Sequence, residues 1–209
     1  MIQSKTILSV LDDMFPNAKI ELVHNNPFEL LIAVCLSAQT TDVAVNKVTP
    51  HLFKAYPTPT HLAQANPKDV ETIISSIGLY RNKTKNIINL SRMLVANHHS
   101  QVPSDRQALE SLPGVGRKTA NVVLSQGFGI PAIAVDTHVM RVSIRLGLAD
   151  PKDNPLKIEQ KLMNLFESNQ WHKLHHQLIF FGRYHCRSQK PLCKHCPFYK
   201  ECLYEKKEK

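Results

Sequence analysis

The chain has 209 residues, enough for one large domain or two modest ones with buried cores. Its 26 Lys and Arg against 17 Asp and Glu give a formal net charge of +9, a balance that suits a polyanionic partner such as nucleic acid, although a merely basic solvated surface gives the same sum. Only seven glycines, no low-complexity tract and no internal repeat argue against a solenoid or a disordered chain. No stretch nears the roughly 20 apolar residues of a membrane span. The N-terminal apolar patch Ile7–Leu11 stops at Asp12 and Asp13, too short for the core of a signal peptide. A cytoplasmic, monomeric protein with reduced thiols and no membrane association is expected.

Nearly every element reads as helix. Asn26-Pro27 is an N-cap and first-turn signature ahead of the apolar run through Cys35. Thr40-Thr41-Asp42 starts a second helix through Val43, Val45 and Val48 toward Leu52. Asn66-Pro67 starts a third, with Val70, Ile73 and Ile74 on one face. From Lys83 to Leu94, Ile87, Ile88, Leu90 and Leu94 recur near helical spacing, opposite a basic face. Ser104-Asp105 caps a short helix ending at Leu112, and Asp136–Leu146, Leu156–Phe166 and His172–Phe181 repeat the pattern. No window alternates with period two between hairpin turns, so the predicted class is all-α. Cys35, inside an apolar run, reads as an inert core thiol.

Between two of these helices lies Leu112-Pro113-Gly114-Val115-Gly116-Arg117-Lys118. Glycines two residues apart permit positive φ and close approach of a phosphate to the backbone. The amides of such a turn and of the following helix N-terminus form an anion site, helped by Arg117 and Lys118. This predicts a helix–hairpin–helix that grips the DNA backbone, with a plain glycine-rich connection as the alternative. Lys118 carries a second reading. Adjacent Arg117 and the positive end of the helix dipole both disfavour its ammonium form, as a nucleophilic lysine requires; a solvated surface lysine is the bland alternative. Asp136 follows the apolar stretch Ile130–Val135 and precedes a helix. It reads as an N-cap, as a carboxylate that stabilises a cationic sugar transition state, or as both.

Four of the five cysteines close the chain as Cys186-x6-Cys193-x2-Cys196-x5-Cys202, among several basic residues. Structural zinc sites usually show two short Cys-x2–4-Cys knuckles. Here only Cys193 and Cys196 form such a pair, so the uneven spacing favours a [4Fe–4S] cluster over zinc.

Together, the motif at 112–118, Val-Asp-Thr-His-Val at 135–139 and the cysteine spacing resemble the DNA glycosylases built on a helix–hairpin–helix, a Gly/Pro-rich loop and an aspartate, in their iron–sulfur branch. The likeness extends through Leu36–Asp42, Gly78-Leu79-Tyr80, His175-His176 and Arg183-Tyr184, and so over essentially the whole chain. It implies two helical domains, 20–130 with the hairpin and 1–19 plus 131–209 with the cluster, flanking a DNA-binding cleft. It implies a bifunctional enzyme of base excision repair acting on duplex DNA with damaged pyrimidines or abasic sites. Lys118 would form a Schiff base at C1′, Asp136 would stabilise developing charge, and Cys186, Cys193, Cys196 and Cys202 would hold the cluster. Gln39 would enter the gap left by the extruded base and Leu79 would wedge opposite; unaided, these two read as a polar residue after a helix and an ordinary core leucine. Gly114, Val115, Gly116 and Arg117 would grip phosphate, and Lys190 and Lys194 would meet it from the cluster loop. A relative in the same family that removes adenine lacks the hairpin lysine, and a non-catalytic DNA-binding module would leave Lys118 and Asp136 without a purpose.

Overall fold

The computed structural model describes residues 2–205, so Met1 and the last four residues of the expected second domain lie outside it. Among the described residues every regular element is helical, as the periodicity predicts: α1 (Ser4–Met14), α2 (Pro27–Leu36), α3 (Asp42–Ala55), α4 (Pro59–Ala63), α5 (Pro67–Ile74), α6 (Tyr80–Asn97), α7 (Arg106–Glu110), α8 (Arg117–Phe128), α9 (Thr137–Arg145), α10 (Pro155–Leu165) and α11 (Trp171–Phe180). No described helix is long and apolar enough to cross a membrane. By its internal contacts the chain divides into two compact units, Ile20–Ile130 and the residues on either side of it.

In the Ile20–Ile130 unit the caps read from the sequence are formed. The Asn26 side chain accepts from the Glu29 amide at 2.9 Å, Thr41 from Ala44 at 3.2 Å, Asn66 from Lys68 at 3.0 Å, and Asp105 from Ala108 at 2.8 Å. Each supplies an acceptor to an amide that the helix cannot satisfy itself, worth about 1 kcal/mol. Helix α2 is apolar all round and buried from Phe28 to Leu36, as befits the central element of a bundle. It packs against α3, α6 and α8. Helix α8 ends at Gly129 (φ +65°), with the Ile130 amide returning to the Leu124 carbonyl at 3.0 Å, a left-handed glycine end.

Several boundaries differ from the sequence reading. Helix α4 has five residues, too few for a detectable period, and was not predicted. Helix α3 runs to Ala55 with Pro50 inside it. Helix α6 starts at Tyr80 rather than Lys83. Helix α7 stops at Glu110, and the Leu112 amide tightens onto the Leu109 carbonyl (3.1 Å) to enter the hairpin.

The flanking unit has its own core, with Ile7 and Leu11 of α1 against Val139, Val142, Ile158, Leu162, Leu174 and Leu178. Helix α11 does not end simply at Phe181; it widens into a π-turn, Phe181–His185. Its Gly182 lies so close to α9 that a Cβ there would sit 2.8 Å from His138 Cβ. Phe198, inside the cysteine segment, is fully buried and packs edge-on against Phe181, with centroids 5.5 Å apart.

Candidate active site

The hairpin is built by three local devices. The buried Val115 directs its amide to the Leu112 carbonyl (3.1 Å), closing the turn. Its N–H is therefore committed, and any phosphate contact of the turn falls to its neighbours. Gly114 has φ +79°, and a Cβ there would lie 3.1 Å from Asn86 Cβ and Nδ2. Gly116 is different: its φ of −99° is extended backbone open to any residue, and no heavy atom lies within 4 Å of the Cβ position. Positive φ, which both glycines permit, is thus adopted only at Gly114. As N-cap, Gly116 brings no side chain to the first turn of α8, which leaves that turn's positive dipole end accessible to an anion. Arg117 stands 3.9 Å from Glu110 on the surface, and Lys118 projects exposed from the same first turn. Beneath the hairpin, the Cys35 thiol lies 3.9 Å from the Gly114 carbonyl. Burial pushes its pKa up to about 12 against the opposing pull of Lys118, so this thiol is inert as expected.

Gln39 and Leu79 share a backbone feature that the sequence did not show. Both are non-glycine residues in the left-handed region, at φ +53° and +58°, a conformation costing on the order of 1 kcal/mol for an L-residue. Leu79 is also 56% exposed, which overturns its reading as a core leucine. Gln39 is exposed at a turn closed by the Thr40 amide on the Ser37 carbonyl (3.1 Å). Leu79 is the N-cap of α6 and offers no side-chain cap. Strain of this kind persists where surrounding structure imposes it, and it clusters at functional sites.

In the flanking unit, Asp136 caps α9. One carboxylate oxygen, Oδ1, accepts from the amides of His138 and Val139, both at 2.8 Å, while Oδ2 takes no part in the cap. The cap reading holds, and one oxygen is left for other work. His138 Nδ1 meets Arg141 Nη2 at 3.1 Å. Burial lowers the His138 pKa, with Asp136 opposing that shift and Arg141 and Arg183 adding to it. Arg141 donates to the Gly182 carbonyl at 2.8 Å and to the Cys186 carbonyl at 3.1 Å, joining the start of α9 to the cysteine segment.

Cys186, Cys193, Cys196 and Cys202 line one pocket with Arg145, Phe181, His185, Leu192 and Tyr204. None of the four is in a disulfide, and no described group of three or more His, Cys, Asp or Glu side chains is arranged to hold a metal ion. Burial raises Cys196 to about 11, and the other three sulfurs add to the shift. Arg145 points a guanidinium nitrogen at Cys186 Sγ (3.4 Å) and donates to the Arg187 carbonyl (2.8 Å), with the Tyr204 ring 3.8 Å beneath it. His185 Nε2 is buried there without a hydrogen-bond partner. On the loop, Lys190 is exposed with φ +47°, and Lys194 is exposed on the short turn Cys193–His195. Arg141 and Arg145 escaped the sequence reading because only the fold brings α9 to the cysteine loop.

Comparison with known proteins agrees with this geometry. Residues 32–168 match the model of the HhH-GPD superfamily base excision DNA repair proteins. Endonuclease III of Bacillus subtilis is 53% identical over 200 residues, spanning 96% of this chain and 91% of the relative. Endonuclease III of Escherichia coli K12 is 47% identical over 201 residues, spanning 96% and 95%. A solved endonuclease III, trapped as a covalent intermediate with DNA, superposes with a TM-score of 0.93 at 52% identity, covering 97% of each chain. The chain therefore belongs to the HhH-GPD superfamily of base excision DNA repair proteins, in its endonuclease III family, with the DNA glycosylase and abasic-site lyase activity of that family.

Proposed function

We propose that this enzyme removes oxidised pyrimidines from duplex DNA and cleaves the strand through a Schiff base on Lys118. The carrying observation is the placement of an exposed amine on the first turn of α8, directly after a Gly116 N-cap that brings no side chain to the helix end, which supports an anion there. A 52% identical relative captured in a covalent intermediate with DNA supports the same chemistry. The Lys118 amine attacks C1′ of the extruded nucleotide, the base leaves, and the sugar ring opens to an imine. The imine acidifies the C2′ proton; its removal expels the 3′ phosphate and breaks the strand. The Asp136 carboxylate, at the N-terminus of α9, stabilises the cationic sugar and moves protons with the oxygen that its cap leaves unused.

DNA is held by the amides around Gly114 and Gly116, by Arg117, and by Lys190 and Lys194 of the cysteine loop. Gln39 and Leu79 enter the stack from their strained turns, and Val115 supports the grip by closing the hairpin. The four cysteines fit a [4Fe–4S] cluster: an all-thiol donor set without disulfides lines one pocket, beside a buried imidazole nitrogen lacking a partner and a guanidinium aimed at sulfur. When bound, the cluster supplies a covalent tie across a loop of little regular structure. The protein acts as a monomer in the cytoplasm, on the nucleoid.

A panel of duplexes, each with one defined lesion, tests the substrate class. Release of oxidised pyrimidines together with a β-elimination product is expected. Release of alkylated purines alone would contradict it. In the same panel Asp136→Asn, which keeps the cap, should lower base removal by about a hundredfold while changing DNA affinity little.

A further inference from the structure

We infer that Lys83 is a positioning residue for base extrusion, clamping the turns that carry Gln39 and Leu79 into one stiff unit. The inference rests on the proposed entry of those two side chains into the duplex. Lys83 is only 6% exposed, although lysine is rarely buried without a paired charge. Its ammonium donates to the Thr40 hydroxyl at 2.6 Å, and among the described residues no carboxylate is paired with it. Burial alone holds its pKa below the ordinary lysine value.

Both ends of Lys83 engage a strained turn. Its side chain grips Thr40, the residue after Gln39, and the Thr40 hydroxyl reaches back to the Ala38 carbonyl at 3.4 Å, straddling Gln39. Its backbone amide donates to the Leu79 carbonyl at 3.0 Å, closing the first turn of α6 on the other residue. One lysine thus ties together two left-handed residues that are 40 positions apart in sequence. A side chain pushed into a base stack must transmit force, and a turn in a sparsely populated conformation relaxes unless something holds it. A buried ammonium bonded to a hydroxyl on the opposite turn is such a hold. Misplacement of a positioning group by about 1 Å is enough to cost a hundredfold in rate.

Thr40→Val tests the clamp at nearly constant volume, Thr40→Ser restores the hydroxyl, and Lys83→Met removes the ammonium. Two single-turnover rates are compared in the intact holoenzyme: base removal from a paired lesion, and strand cleavage at a preformed abasic site with no base to extrude. Fluorescence of 2-aminopurine beside the lesion reports unstacking directly. Thr40→Val and Lys83→Met should lower base removal about tenfold and reduce the fluorescence rise, with abasic-site cleavage within about twofold of wild type. Thr40→Ser should behave as wild type. A merely structural tie predicts that both rates fall by the same factor, and that result, or no change in either, would overturn the clamp. Gln39→Ala and Leu79→Ala separate the two levels of the argument. If they leave the fluorescence rise intact, the reading of those side chains fails; if they abolish it while Thr40→Val does not, the clamp alone fails. Should Lys83→Met not fold, the Thr40 pair still decides.

Discussion

The hairpin and the cysteine segment both follow a helix and both carry basic residues, but they are held by different means. Short-range parts make the hairpin: one backbone bond from Val115 to Leu112 and one left-handed glycine, Gly114. The cysteine segment draws on distant partners instead. Arg141 and Arg145 of α9 reach its carbonyls across more than forty residues, Phe198 plugs into the core beneath Phe181, and the four thiols line one pocket. A turn closed by its own backbone folds with its helices, whereas a loop tied by side chains and a ligand depends on that ligand.

The largest effect should come from removing one thiol. Cys193→Ala or Cys196→Ala should abolish stoichiometric iron and unfold the segment from Cys186 onward, while the hairpin keeps its fold. Iron and sulfide analysis, with hydrogen exchange resolved by peptide, checks this; a variant with full iron and unchanged exchange would remove the contrast.

Next comes a pH effect confined to the cysteine-bearing unit. Burial, with help from His172 and Arg183, pushes the His176 pKa down to about 4, below its ordinary value near 6.5. Because the folded state favours the neutral ring, its stability is fully present above about 6.5 and falls as pH drops toward about 4. Below that, protonation is alike in both states and the loss levels off. The loss amounts to up to about 3 kcal/mol, and His176→Gln should flatten that limb in denaturant titrations at pH 7 and pH 5.

Within the hairpin the two glycines should part company. Gly114→Ala meets both a positive φ and Asn86, and should cost about 2 kcal/mol of stability. Gly116→Ala should change stability by less than about 0.5 kcal/mol, since its backbone is extended and its surroundings open. It should nevertheless weaken binding to undamaged duplex about tenfold if phosphate approaches there. Equal affinity in the Gly116 variant would move the phosphate grip elsewhere.

Local chemistry explains what the sequence made legible. Asn26, Thr41, Asn66, Asp105 and Asp136 each cap the helix they announce, because a cap is settled within four residues. The hairpin and the cysteine spacing were readable for the same reason. Without the resemblance Leu79 reads as a core leucine, because its exposure follows from a left-handed turn that apolar periodicity does not encode. The two glycines permit positive φ alike, and only the fold shows that Gly114 alone uses it. Lys83 merged into a basic helix face, since the turn that buries it comes from Thr40, far off in the chain. Pro50 would be expected to break a helix, yet α3 continues past it to Ala55.

The central claim is that Lys118 is the nucleophile, and borohydride trapping tests it most directly. Reduction of the imine during reaction with an abasic duplex should lock protein to DNA in a complex that survives denaturation. Lys118→Ala should abolish that complex, and so should Lys118→Arg, whose guanidinium stays protonated. Both variants should still bind the duplex through the hairpin amides and the cysteine loop. An undiminished crosslink in Lys118→Ala, mapped by peptide mass to another lysine, would contradict the account.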